Sequence, residues 1–330
     1  MGKNSKNKSL MIVSTPLQVL CAISAIEYFG IGKYDLIFFS ANSQCERINK
    51  RGIDILLFFD IPFKKMILSK TKILSFLVRE STRYSDIYVG DYFFEHQALF
   101  AAVSANKNAK ITFLDDGNSS YLITLKSATS LLFKKEAFAK RFFLRFLIEV
   151  LYVFKNISHT NLYTFFNVKE CEGWRIASNN FECFRYTTNK KQEGVFIIGT
   201  TVSIFPNGDE DYMKYLSAVN DYCRMKYPRE LIFYCPHRTS NFDKEHADFI
   251  AALNLDIFNT EYTIEFDFFK KNINPHFVIG FASSALYSLK KIYPKSTVES
   301  VLFESNRKYR KEYLLIQEYY APLIKFTKIV

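Results

Sequence analysis

A chain of 330 residues with 48% hydrophobic and 17% aromatic content can bury a large core and is not a disordered polymer. Lys and Arg outnumber Asp and Glu by 44 to 33, a net charge of +11, which points to an anionic partner: nucleic acid, a nucleotide or sugar phosphate, or an acidic membrane surface. Its six cysteines show no CxxC spacing, which argues against a zinc site and a disulfide framework and for core thiols in a reducing compartment.

Residues 1–8 form a polar, lysine-rich tail. The apolar run after it is interrupted at Ser14, Pro16 and Gln18, so it does not read as a signal peptide, and no apolar stretch reaches the roughly 20 residues of a spanning helix. The expected location is the cytoplasm, with peripheral contact on the inner face of the cytoplasmic membrane as a further possibility. Leu10 to Val13 is a buried-strand pattern, and Thr15 and Pro16 read as the N-cap and first residue of a helix. Asp35 to Ser40 is the next strand, followed by a polar helix near Cys45 to Lys50, a short apolar strand at Ile55 to Phe59 and a basic helical segment at Lys64 to Arg79. Asp86 to Gly90 is a strand, Phe94 to Ala105 a helix and Lys110 to Leu114 a strand.

That strand ends in Asp115, Asp116 and Gly117, then a polar turn. Ligands of open α/β sheets bind beyond the carboxyl ends of strands, and a glycine there can take positive φ. Two adjacent carboxylates can differ in proton affinity, which suits one of them to proton transfer; a plain strand-ending turn that caps a helix is the structural alternative.

Leu131 to Lys155 carries phenylalanines at helical spacing interleaved with Lys134, Lys135, Lys140, Arg141, Arg145 and Lys155. Such a segment fits an anionic bilayer, a packing helix or a dimer surface. Asn156 to Glu193 is irregular, and the domain boundary is placed at 190/191.

The second half restarts the alternation. Strands are expected at Gly194–Gly199, Glu230–Cys235, Asp256–Phe258, Phe277–Gly280 and Val298–Phe303, and helices at Asp209–Met225, Asn241–Leu253, Ile264–Lys271 and Ser283–Tyr293. The fold class is therefore α/β, with two Rossmann-like domains facing across a cleft. Four features fall at strand ends or helix starts: Gly199 with Thr200, Pro236–His237–Arg238, Glu265, and Ser283–Ser284. An imidazole, a guanidinium, hydroxyls and helix N-termini make a phosphate site by chemistry, and Glu265 can accept from ribose hydroxyls or a base amine.

In chain order, STPLQVL (Ser14–Leu20), FLDDG (Phe113–Gly117), FIIG (Phe196–Gly199), YCPHR (Tyr234–Arg238) and GFASSAL (Gly280–Leu286) resemble bacterial glycosyltransferase family 52, the lipooligosaccharide, O-antigen and capsule sialyltransferase type. The resemblance implies a GT-B fold and an inverting transfer of sialic acid from CMP-sialic acid to a hydroxyl, expected on galactose of a surface glycan. It implies no cofactor and no required metal. Residues 1–190 would take the acceptor, which could be lipid-linked, and 191–330 the CMP moiety. His237 would contact the donor phosphate together with Ser283 or Ser284, and Glu265 would hold the cytidine. Asp115 or Asp116 would be the base, with Asp209 third. Two departures stand out: Arg238 directly follows His237, and no aspartate closely follows Gly199. Another nucleotide-sugar donor, or a basic protein that binds nucleic acid or an anionic surface, are the alternatives; no nucleic-acid module is recognisable.

Overall fold

The computed structural model describes residues 8–40, 46–67, 84–91, 94–117, 138–168, 173–187, 193–200, 202, 205, 207–237, 244–281, 283–303 and 323–329. The chain divides into two compact units, Met1–Cys183 and Phe184–Val330, a few residues before the 190/191 position placed from the sequence.

Unit 1 is built on a seven-stranded, wholly parallel sheet. Its strands are β1 (Ser9–Val13), β2 (Tyr34–Ser40), β3 (Lys64–Ile67), β4 (Tyr84–Val89), β5 (Ala105–Phe113), β6 (Ser158–Thr164) and β7 (Arg175–Ser178), in the order β3-β2-β1-β4-β5-β6-β7. Every residue of β1 is buried, as expected of a central strand covered on both faces by helices. Four helices occur among the described residues: α1 (Pro16–Tyr28), α2 (Glu46–Phe58), α3 (Glu95–Ser104) and α4 (Phe138–Lys155). One core layer sets Leu10, Ile12, Ile87, Val89, Ile111 and Phe113 of the sheet against Ala98, Phe100 and Ala101 of α3 and Ile148 and Tyr152 of α4. Each such large side chain contributes roughly 1.5–3 kcal/mol on burial.

Unit 2 repeats the scheme with six parallel strands. They are β8 (Glu193–Ile198), β9 (Ile232–Cys235), β10 (Asp256–Ile257), β11 (Pro275–Gly280), β12 (Thr297–Phe303) and β13 (Lys325–Ile329), in the order β10-β9-β8-β11-β12-β13. Its helices are α5 (Asp209–Lys226), α6 (Lys244–Ala252), α7 (Ile264–Lys270) and α8 (Ser284–Ile292). In both sheets the strand order reverses about the first strand, between β1 and β4 and between β8 and β11. These reversals create the crevices at which doubly wound sheets take ligands.

Five elements differ from the sequence reading. Ile55 to Phe58 belongs to α2 rather than a strand, because Ile55 and Leu56 are buried while Leu57 and Phe58 are exposed, a one-sided helical face. Lys64–Ile67 is a strand, not the start of a helix, and 68–83 lies outside the described residues. The irregular 156–193 stretch contains β6 and β7, and β13 follows the strand taken as the last. All three are peripheral strands, where half-exposed polar residues blur the apolar pattern. The 131–155 segment is helical from Phe138, and 118–137 lies outside the described residues.

Candidate active site

In unit 1, the carboxyl ends of β1, β4, β5 and β6 deliver Ser14–Thr15, Gly90–Asp91, Leu114–Gly117 and Phe165–Phe166 to one edge of the sheet. The two adjacent acids there do different work. Asp115 is fully buried; Thr164 Oγ1 donates to its Oδ1 at 2.7 Å and the Phe165 amide to its Oδ2 at 2.7 Å. It ties the end of β5 to the end of β6, which gives it a structural task rather than one at the solvent edge. Asp116 is half-buried and accepts at Oδ1 from Thr15 Oγ1 at 3.2 Å. Gly117 follows with φ of +70°, the left-handed turn for which a glycine was expected.

Thr15 caps α1, its Oγ1 accepting from the Gln18 amide at 3.3 Å, and Pro16 opens the helix. Gln18 is buried and accepts at Oε1 from the Ser14 amide at 2.7 Å and the Ser14 hydroxyl at 3.1 Å. Buried Gln97 of α3 donates from Nε2 to Ser14 Oγ at 2.9 Å and accepts the Asp91 amide at 3.1 Å. A Cβ on Gly90 would lie 2.2 Å from Gln18 Oε1, so only glycine leaves room for the amide. This polar lock holds the ends of β1 and β4 together at the strand-order reversal. Gln97 was missed, and a lone glutamine on a short helix carries no signal that could have found it.

In unit 2, β9, β8 and β11 are adjacent, so the segments that follow them share an edge. Gly199 and Thr200 follow β8, Pro236 and His237 follow β9, and Ser283 and Ser284 follow β11. The Gly199 amide donates to Cys235 O at 2.8 Å, and a Cβ on Gly199 would lie 2.8 Å from both that oxygen and the His237 nitrogen. The absence of a side chain at 199 therefore lets the His237 backbone approach. Pro236 and His237 are half-buried; Arg238 lies outside the described residues. Beneath this turn the buried hydroxyls of Tyr212 and Tyr234 hydrogen-bond to each other. Burial pushes the Tyr212 phenol up to about 12, against the opposing Tyr234 hydroxyl and Thr200 backbone, and burial also raises Tyr234, so both stay neutral. Burial likewise raises the fully buried Cys235 thiol, and the Asp267 carboxylate adds to it, which makes this cysteine an unreactive core thiol.

Ser283 caps α8, accepting from the Ala285 amide at 3.3 Å. The first turn of α8 has no acidic residue, whereas α5 opens with Asp209, Glu210 and Asp211. Of these two helix starts, α8 is the one electrostatically open to an anion. Asp209 is exposed and pairs with His246 Nε2 at 3.0 Å, on α5 rather than in the segment just after Gly199. Glu265 is buried near the start of α7, and its Oε1 accepts from Ser288 Oγ at 2.6 Å, one helical turn along α8 from Ser284. Among the described residues no hydrogen bond reaches its Oε2. Among those residues, too, no group of three or more His, Cys, Asp or Glu is placed to hold a metal ion.

The same architecture occurs in solved sialyltransferases. The α/β-galactoside α-2,3-sialyltransferase of Photobacterium phosphoreum superposes with a TM-score of 0.54 at 12% identity, covering 98% of this chain and 99% of that one. The chain has the GT-B fold. The GT-B domain of the Photobacterium damselae sialyltransferase gives 0.51 at 12% identity, covering 97% and 100% of the two chains. A Photobacterium 2,6-sialyltransferase solved with CMP and lactose gives 0.52 at 12%, covering 97% of this chain and 78% of that one. No family model and no curated protein matches the sequence. In each unit the candidate residues lie at the carboxyl ends of the strands, the edge at which open α/β sheets take ligands.

Proposed function

We propose that this GT-B protein is a CMP-sialic acid-dependent sialyltransferase that acts on a hydroxyl of a bacterial surface glycan. The observation that carries the reading is that each sequence motif follows a strand at the carboxyl edge of a sheet, either a strand that flanks the order reversal or its immediate neighbour, in a chain whose fold matches sialyltransferases over nearly its whole length.

In this reading Asp116 takes the proton of the acceptor hydroxyl. The freed oxygen attacks the anomeric carbon of sialic acid from the face opposite the phosphate, and the bond from that carbon to the phosphate oxygen breaks. CMP departs with the electron pair, and the anomeric configuration inverts. Charge develops on the phosphate, where the His237 side chain, the Ser283 and Ser284 amides at the start of α8 and Arg238 stabilise it. Gly199 and Thr200 shape the loop over the donor, Pro236 holds the approach to His237, and Gly117 frees the turn after Asp116. Glu265, fixed by Ser288, offers Oε2 to the ribose hydroxyls. This charge compensation comes from protein groups, so the proposed reaction needs no divalent metal.

A thermal-shift series with CMP, UDP and GDP, paired with CMP-sialic acid hydrolysis by the wild type and His237→Ala, tests the donor. At 100 times its dissociation constant a bound nucleotide stabilises by about 2.7 kcal/mol. Stabilisation by CMP alone, with hydrolysis lost in the variant, is the expected outcome. Stabilisation by UDP or GDP would keep the fold and replace the donor. No response to any nucleotide, with salt-sensitive retention on heparin, would replace the enzyme reading with an anionic-surface binding protein.

A further inference from the structure

We infer that Thr15, the N-cap of α1, is a positioning residue for the proton acceptor of the transfer reaction. The inference rests on the assignment of that task to Asp116 and deepens it. Thr15 and Asp116 are separated by 101 residues, yet the Thr15 hydroxyl proton points to Asp116 Oδ1 at 3.2 Å. The same hydroxyl oxygen accepts from the Gln18 amide at 3.3 Å. One hydroxyl has one proton, and the cap uses only its lone pair. The proton is therefore left for the carboxylate, and the donor direction is set by the helix itself.

Thr15 is itself held rigidly. Its φ of −125° and ψ of 157° are those of a cap, Pro16 restricts the next step, and Gln18 is pinned by Ser14 in the space that Gly90 leaves. A β-branched side chain has few χ1 options. The Oδ1 that Thr15 engages is oriented, and with it the plane of the carboxylate that would take the proton. The Asp115 clamp to Thr164 and Phe165 fixes the neighbouring backbone, so the two acids are positioned by independent partners.

Three variants separate this from simple capping. Thr15→Ser keeps both hydrogen bonds. Thr15→Val removes both. Thr15→Gly is nearly as good an N-cap but has no proton for Asp116 and adds no charge beside it. Steady-state transfer from CMP-sialic acid to lactose, with a melting temperature for each protein, is the readout. Thr15→Ser should stay within about twofold of wild type, a span of roughly 0.4 kcal/mol. Thr15→Val and Thr15→Gly should each lose about tenfold or more in kcat with donor KM unchanged, Thr15→Gly with little loss of melting temperature. Wild-type kcat in both Thr15→Val and Thr15→Gly overturns the inference. So does a loss confined to Thr15→Val, since the cap alone would then matter. A wild type without transfer, or an Asp116→Asn variant that keeps it, instead overturns the reading on which the inference rests.

Discussion

At the residue scale, two neighbouring aspartates have been given opposite environments. Asp115 is enclosed and accepts from Thr164 and Phe165, whereas Asp116 is half-buried at the rim beside Thr15. An asparagine at 115 would turn an acceptor oxygen into an NH2 facing a donor, leaving a buried group unpaired at a cost of about 1–3 kcal/mol. Asp115→Asn should therefore lower the denaturation midpoint while the folded fraction keeps its turnover. Asp116→Asn should do the reverse, holding the midpoint and lowering kcat by about 10²–10⁴-fold, the usual contribution of a general base. Urea unfolding and transfer rates measured on both variants check this; a stability loss at 116 with normal turnover would exchange the two roles.

At the element scale, unit 2 holds a charged centre built from β12, β13 and α5, none of which carries the residues proposed to bind phosphate. Glu299 of β12 is fully buried and meets Lys226 of α5 at 2.5 Å, Lys325 of β13 at 3.3 Å and the Tyr222 hydroxyl at 2.7 Å. Burial on its own would raise the Glu299 carboxyl, but the hydrogen bonds from Lys226 and Tyr222 and the charges of both lysines outweigh it and hold the group below its ordinary value. A carboxyl depressed in the folded state stabilises fully above its unfolded value of about 4.3, and that contribution is lost as the pH falls through the lower folded value. Glu299→Gln should cost about 2 kcal/mol at pH 7, less than a wholly enclosed pair because both lysines keep some solvent contact. The gap between variant and wild type should close as the pH is lowered below about 4 in denaturant titrations. A pH-independent gap would mean that packing rather than charge stabilises this site.

At the scale of the whole molecule, the net charge of +11 raises the question of where the protein resides. No helix among the described residues is long and apolar enough to cross a membrane. On α4, however, Phe146, Val150, Val153 and Phe154 lie on the side away from the core residues Ile148 and Tyr152, with Val153 and Phe154 each 81% exposed. We propose this face, on a helix with four basic residues and one acidic residue, as the place of peripheral contact with an anionic bilayer. Val153→Ser together with Phe154→Ser should reduce co-flotation with phosphatidylglycerol vesicles about tenfold. Unaltered flotation would remove this face from the membrane reading and leave a dimer surface or packing against another part of the chain.

Much of this architecture is local and was legible in the chain. Apolar runs at period two or 3.6, the Thr15–Pro16 start of α1 and the Ser283 cap of α8 depend on neighbours a few residues away, so alternation and an α/β fold follow from them. The peripheral strands β6, β7 and β13 were not legible, because half-exposed strands need less apolar surface and polar residues interrupt their pattern. The site divided in the same way. The residue types at strand ends could be read in order, but adjacency in sequence made Asp115 and Asp116 equivalent. Only folding, which brings Thr164 to one and Thr15 to the other, distinguishes a clamp from an acid at the rim, and only the close approach of the Gly199 and His237 backbones explains why a glycine stands there. Hydrogen bonding and steric exclusion act over a few ångströms in space, so these distinctions depend on residues separated by dozens of positions in the chain.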